Sequence, residues 1–234
     1  MSGIAPAPVV EPDFPGAAGR SVLLIGATGL VGGECLRLLL EDESCERIVV
    51  LTRRRLPASK AFARLETHVI DFDHLTAYSK YFKVDQIICA LGTTRKQTPS
   101  RREYRAVDFM LPITAAYLGL ENGASHFLLV SSLGADSSAW AFYRRLKGEL
   151  EDALKALPYR GVTIVQPSVL IGNRAERRLS ENVAGWLSFL TPRKFRPVRA
   201  WSVAWVLVDA ARRNEAGVRV IENREISAMA RADT

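Results

Sequence analysis

Residues 23–55, "LLIGATGLVGGECLRLLLEDESCERIVVLTRRR", change character four times. An apolar run breaks into glycines, a stretch with helical spacing follows, a β-branched run returns, and three arginines close the segment. Gly26, Gly29 and Gly32 stand in G-x-x-G-x-x-G spacing directly after the run "VLLI" and at the start of the helix. Glycine allows the tight turn and lets backbone amides approach a pyrophosphate, while the helix N-terminus adds oriented N–H donors and a positive dipole. Alone, such spacing is an ordinary turn; between a strand, a helix and a second strand it predicts dinucleotide binding. In NAD-selective units the second strand delivers an acid to the adenosine ribose. Here "RIVVLT" delivers Thr52 and then Arg53, Arg54 and Arg55. A carboxylate would repel a 2′-phosphate, whereas a guanidinium fork matches its oxygens, so the segment is read as an NADP(H) site with Arg53 and Arg54 on the phosphate.

From Ser21 onward the same alternation continues: "ETHVID", Leu75 to Phe82, "DQIICALG", Arg101 to Leu120, "HFLLVSS", Trp140 to Leu157 and "VTIVQPS". Strands separated by crossover helices predict an α/β fold, a doubly wound parallel sheet covered on both faces. Beyond Pro167 the regularity fails. Residues 171–200 are read as a small irregular C-terminal lobe placed to cover the strands' carboxyl ends, where ligands sit in such sheets. The helix "WSVAWVLVDAARR" and the strand "VRVIENREI" return to the main domain. Residues 1–19, rich in Pro, Ala and Gly, are read as a disordered tail, and residues 20–234 as one domain.

Composition limits the partners. Thirty-two Lys and Arg against twenty-five Asp and Glu give a net charge of +7, which favours anionic partners without choosing among them. Cys35, Cys45 and Cys89 lack CxxC spacing and suit a reducing cytoplasm, the location expected here. No signal-peptide pattern and no run long enough to span a bilayer is present. His68, His74 and His126 lack metal-ligand spacing, so no metal is expected. "PRKFRPVR", with one aromatic, is thin support for nucleic-acid binding, which is disfavoured.

Further strand ends extend the site. "VIDFD" brings Asp71 and Phe72 to meet the adenine, and "CALGTT" offers Ala90, Leu91 and Gly92, with Ala90 and Gly92 small enough for the ribose and phosphates to lie over the backbone. The fifth strand ends in Ser131 and Ser132, either of which could hydrogen-bond a substrate carbonyl. The next helix carries Tyr143 and Lys147, four apart and therefore on one face. An ammonium beside a phenol favours phenolate, so the pair can exchange protons near neutrality, and Lys147 could also hold the nicotinamide ribose. Y-x-x-x-K is a frequent helical accident; its place after the fifth strand, downstream of the glycine turn, gives it weight.

With these residues in place the chain resembles the short-chain dehydrogenase/reductases, in the atypical branch of this Rossmann superfamily, and within it the Tat-interacting-protein group. "GATGLVG", "LTRRRL", "VIDFDHL", "CALGTTR", "HFLLVSSLGADSS", "YRRLKGELE" and "QPSVLIGNR" follow the group's order from Ser21 to about Arg178. The resemblance implies NADP(H) on Gly26, Thr28, Gly29, Leu30, Gly32, Arg53 and Arg54. It also implies Tyr143 as acid/base, Lys147 as its modulator, both near the cofactor, and Ser132 as carbonyl donor, with Pro167, Ser168 and Val169 edging the nicotinamide. Related extended enzymes have Asn in the helix after the fourth strand, where this chain has Asp108. The serine strand lacks the Y-G of sugar-nucleotide epimerases and the lobe is short, which disfavours sugar epimerisation. The expected function is therefore an NADP(H)-dependent oxidoreductase moving hydride to or from a carbonyl or alcohol. The alternative is an NADP(H)-binding regulatory or redox-sensing interaction protein with little turnover. The substrate is a small molecule, with only a weak hint of anionic character; a homodimer and a protein partner both stay open.

Overall fold

The computed structural model describes residues 19–56, 63–92, 100–171 and 195–232. Strand β1 (Arg20–Ile25) leads through the glycine turn into α1 (Leu30–Glu41) and back to β2 (Cys45–Thr52). β3 (Leu65–Val69), a 3-10 run (Phe72–Phe82) and β4 (Gln86–Cys89) follow. Next come α2 (Arg101–Arg105), a π turn (Ala106–Met110) and α3 (Leu111–Glu121), then β5 (His126–Val130), α4 (Phe142–Lys155) and β6 (Gly161–Gln166). The strand pair β7 (Leu170–Ile171) and β8 (Val198–Arg199), helix α5 (Ala200–Arg213), β9 (Gly217–Glu222) and α6 (Asn223–Ala232) complete the described chain.

Seven strands form one sheet in the order β3-β2-β1-β4-β5-β6-β9, every pairing parallel. The order reverses between β1 and β4, which opens a crevice at their carboxyl ends. Side chains alternate strictly across the sheet. Val22, Leu24, Ile48, Val50, Ile88 and Leu128 meet Val31, Cys35 and Leu39 of α1 and Val203, Leu207 and Ala211 of α5. Leu23, Ile25, Val49, Leu51, Ile87 and Phe127 meet Phe72, Phe82, Ile113, Leu150 and Leu154 on the other face. Each large apolar side chain so buried contributes ~1.5–3 kcal/mol relative to exposure, which is why the inner strands read as unbroken apolar runs.

The α/β class and the doubly wound parallel sheet follow the sequence reading; two elements differ. The segment expected as an amphipathic stretch over Leu75 to Phe82 is a 3-10 run beginning at Phe72, with non-helical dihedrals at His74 and Tyr78. Asp71 starts it by accepting a hydrogen bond from the Asp73 amide. "VRVIENREI" is strand only to Glu222. At Asn223, fully buried, the side-chain amide donates to the Arg196 carbonyl and the side-chain oxygen accepts from the Ser168 amide, and a helix starts in place of more strand. Most of the expected lobe, residues 172–194, and nearly all of the expected tail, residues 1–18, lie outside the described residues.

Candidate active site

The glycine turn is built by backbone contact. Gly26 has φ +98°, and a Cβ there would lie 2.5 Å from the Ala90 carbonyl oxygen. A Cβ on Gly32 would collide with the Gly26 carbonyl itself. Both positions therefore exclude any side chain, and the turn closes with the Gly29 amide donating to the Gly26 carbonyl at 2.9 Å. No side chain caps the α1 N-terminus and no acid stands in its first turn. Thr28, Gly29 and Leu30 are exposed. Free helix-start amides beside a cradle that a Cβ would fill fit a pyrophosphate.

At the end of β2 the Thr52 hydroxyl donates to the Arg54 carbonyl at 2.8 Å and accepts from the Arg54 amide at 3.3 Å. This local turn carries Arg53 and Arg54 out into solvent. Arg55 instead lines a separate hollow against β3, with Thr67, His68, Tyr78 and Tyr81. Asp71 is exposed, but its carboxylate is already engaged by the Asp73 amide and by His74 Nδ1 at 2.8 Å, an arrangement that holds it below the usual carboxylate range. Phe72 is buried in the core, so its ring packs under the sheet edge and leaves only backbone towards an adenine.

The end of β4 connects this turn to the next cluster. Ala90 and Leu91 abut Gly26, and a Cβ on Gly92 would stand 4.0 Å from Asp108 Oδ1. Asp108, fully buried in the π turn, lies 2.8 Å from the Lys147 ammonium, itself 2% exposed. Burial works against the lysine's charge, but Asp108 and Tyr143 outweigh it, so Lys147 holds its proton more firmly than a free lysine. One turn back on α4, Tyr143 is 38% exposed and meets Tyr104 edge to face. Buried Cys89, beside this pair, has its thiol pushed up to about 11 by desolvation.

The two serines separate cleanly. Ser131 is buried and donates to Glu151 Oε1 on α4. Gln166 Nε2 donates to the same carboxylate at 2.9 and 3.0 Å, so Glu151 ties the ends of β5 and β6 together. Ser132 lines a cleft of about 1000 Å³ with Leu133, Arg144, Gln166, Ser168, Val169 and Phe195 among its walls. Pro167 is buried and accepts from the Leu133 amide at 2.9 Å; Val169 is exposed. Arg144 lies across the Gly134 turn, Nε donating to the Gly134 carbonyl. Glu151 and Asn223 escaped the sequence reading. For Glu151 the signal was present, since Tyr143, Lys147 and Glu151 repeat every four residues along one helix face. Among the described residues no group of three or more His, Cys, Asp or Glu could hold a metal.

With this geometry established, comparison with known proteins places the chain. Protein FMP52 of Eremothecium gossypii is 32% identical over 222 residues, covering 91% of this chain and 98% of the relative. Protein HTATIP2 of Rattus norvegicus is 32% identical over 171 residues, covering 72% and 69%. The chain belongs to the FMP52/HTATIP2 family. Its residues 21–102 also match the semialdehyde dehydrogenase NAD binding domain, the segment that carries the glycine turn and the arginines. A solved structure, MoeE5 in complex with UDP-glucose and NAD, superposes with a TM-score of 0.65 at 15% identity over 92% of this chain and 82% of that one, which shows a shared Rossmann-type fold. The expectation of a cytoplasmic protein is overturned by the family itself: its fungal members, from Candida albicans and Eremothecium gossypii among others, are named mitochondrial. Three buried, unpaired cysteines are no address. No helix of the described residues is long and apolar enough to cross a membrane.

Proposed function

We propose that this member of the FMP52/HTATIP2 family is an NADP(H)-dependent oxidoreductase acting on a small carbonyl or alcohol substrate. The observation that carries the reading is continuity: Gly26 touches Ala90 and Leu91, Gly92 neighbours Asp108, and Asp108 pairs with Lys147 beneath Tyr143. A dinucleotide seated on the glycine turn would therefore extend along the end of β4 towards the phenol. When bound, the nicotinamide supplies the hydride chemistry.

The chain's own groups divide the remaining work. The amides at the α1 N-terminus, with Gly26, Thr28, Gly29, Leu30 and Gly32, would hold the pyrophosphate. Arg53 and Arg54, presented by the Thr52 turn, would take a 2′-phosphate, and the place of Arg55 in the separate hollow against β3 supports the choice of these two. Ala90, Leu91 and Gly92 would lie under the ribose and phosphates, and Asp71, with the backbone of Phe72, near the adenine. Ser132, exposed to the cleft while Ser131 is spent on Glu151, would donate to the substrate oxygen. Tyr143 would move the proton, Lys147 would support it and hold the ribose, and Pro167 and Val169 would shield the nicotinamide edge.

The test is calorimetric titration with NADPH and NADH of the parent and of a variant carrying Arg53→Ala and Arg54→Ala. Preference for NADPH, lost in the variant, supports the cofactor reading; no binding of either dinucleotide removes it. A Tyr143→Phe variant that binds NADPH normally but reduces no carbonyl in a substrate screen supports catalysis, and unchanged turnover removes Tyr143 from the reaction.

A further inference from the structure

The cleft that holds Ser132 carries a second side-chain donor that the fold does not use. Most polar groups on its walls are committed. The Gln166 amide donates to Glu151 at 2.9 and 3.0 Å, and the Ser168 hydroxyl donates to the Arg196 carbonyl. Asp136 accepts from the Ser138 amide at 2.8 Å and from its hydroxyl at 2.6 Å, bonds that hold its carboxyl below the usual range with a smaller contribution from Arg144. Glu222 reaches towards Arg224 at 4.0 Å. What remains is the Ser132 hydroxyl and the two Nη groups of Arg144, none of which has a partner among the described residues.

Arg144 is exposed but seated. It follows Tyr143 in α4; its Nε donates to the Gly134 carbonyl at 2.7 Å, and its own carbonyl accepts from the Asp136 amide at 3.0 Å. Gly134 has φ +77°, and a Cβ there would run into Nη2 of the same guanidinium. Glycine thus serves the turn and clears the seat on which the planar group lies. With Nε engaged, the donors that Arg144 still offers the cleft are its Nη groups. A guanidinium fixed at one edge and open at the other matches the two coplanar oxygens of a carboxylate. Leu133, Val169 and Phe195 give the same cleft its apolar surface.

We propose that the substrate is an oxo- or hydroxy-acid with an apolar body, and that Arg144 selects it by pairing with its carboxylate. The proposal deepens the oxidoreductase reading and rests on it, since that reading makes this cleft the substrate's place. Ser132 takes the oxygen that reacts, Arg144 the carboxylate that does not, and the apolar walls the hydrocarbon. Two separate polar anchors fix the orientation of the reacting carbon, where one alone would leave the molecule free to turn.

Calorimetry on the whole chain reads this pairing without turnover. A series of ω-hydroxy acids of graded chain length is titrated, each beside its methyl ester, so that some member spans the two anchors whatever their separation. At the best length the acid should bind about 10-fold or more tightly than its ester, and Arg144→Gln should bring the two within about twofold by weakening the acid alone. Arg213→Gln makes the same change of charge at the end of α5, where Arg213 pairs with Asp209 at 2.9 Å, and should leave the preference intact. Equal affinity of acid and ester at every length overturns the proposal. So does a preference that survives Arg144→Gln or falls as far in Arg213→Gln. Gly134→Ala, which pushes the guanidinium off its seat, covers the case in which Arg144→Gln does not fold, and an undiminished preference there is equally fatal. Tighter binding of ω-hydroxyalkyl phosphates than of the acids would overturn the choice of carboxylate. Failure to bind NADPH removes the oxidoreductase reading, while an Arg144-dependent preference for the acid still supports the carboxylate site.

Discussion

The two halves of the sheet's carboxyl edge are finished in opposite ways. Around β1 to β3 the groups are left open: helix-start amides without a capping side chain, and two arginines in solvent. Around β4 to β6 the charges are closed upon each other, Lys147 on Asp108 and Glu151 on Ser131 and Gln166. The open half is shaped to have its hydrogen bonds completed by a ligand. On the proposed function the closed half must hold its geometry unaided, because a proton relay would work only at hydrogen-bond distances.

The largest effect should come from closing the open half. Gly32→Val would drive a branched side chain into the Gly26 backbone, and we expect NADPH affinity to fall more than about 100-fold in calorimetry, with a lowered melting temperature. Opening the closed half comes next. Lys147→Met leaves Asp108 buried without its cation and should cost about 3–5 kcal/mol in denaturant unfolding, most of it recovered when Asp108→Leu is added. Removing Arg53 and Arg54 together should weaken NADPH by roughly 10- to 100-fold and leave NADH within about threefold, with stability unchanged because both are exposed.

A pH series sharpens the contrast from the opposite edge of the sheet. His126 starts β5, within 2.9 Å of Thr163 Oγ1 and 3.2 Å of Asn214 Oδ1, and burial lowers its pKa to about 4. Its folded value lies below the unfolded 6.5, so the unfolded chain binds the extra proton between those values. Stability should therefore fall as pH drops from about 6.5 to 4, by roughly 2–3 kcal/mol, and His126→Gln should flatten that part of the denaturation curve. The smallest effect belongs to Thr52→Val, which removes the hydroxyl that shapes the arginine turn: about 1 kcal/mol or less, read as a modest loss of NADPH preference over NADH.

The open half was legible in the sequence because it is local. A glycine turn, the strand before it and the arginines after the next strand lie within residues 23–55, and their spacing states the contacts. The closed half is a product of tertiary register. Tyr143 and Lys147 could be read from helical spacing, but the Asp108 contact needs a π turn, which no propensity announces, and the approach of two helical segments distant in sequence. Asp71 and Phe72 show a different limit. Their place at the end of β3 was readable, yet the carboxylate is engaged by its own helix start and the ring by the core. Asn223 was read as strand because β-branched residues precede it; its buried hydrogen bonds to the 168 and 196 segments, invisible in a linear pattern, turn the chain.

Ser131 and Ser132 continue the alternation of β5, one following Phe127 and Leu129 to the α3–α4 face, the other following Leu128 and Val130. Their roles are thus a matter of parity. A single-residue insertion within β5 would bring Ser131 to the cleft and Val130 against Glu151, and a deletion would bring Ser132 against Glu151 and Leu133 to the cleft, while either turns every apolar residue between the slip and the serines to the wrong layer. Two adjacent identical residues are therefore held apart by counting alone. A lineage could change what Ser132 contacts by altering the cleft around it, but it could not move that job one position along the chain.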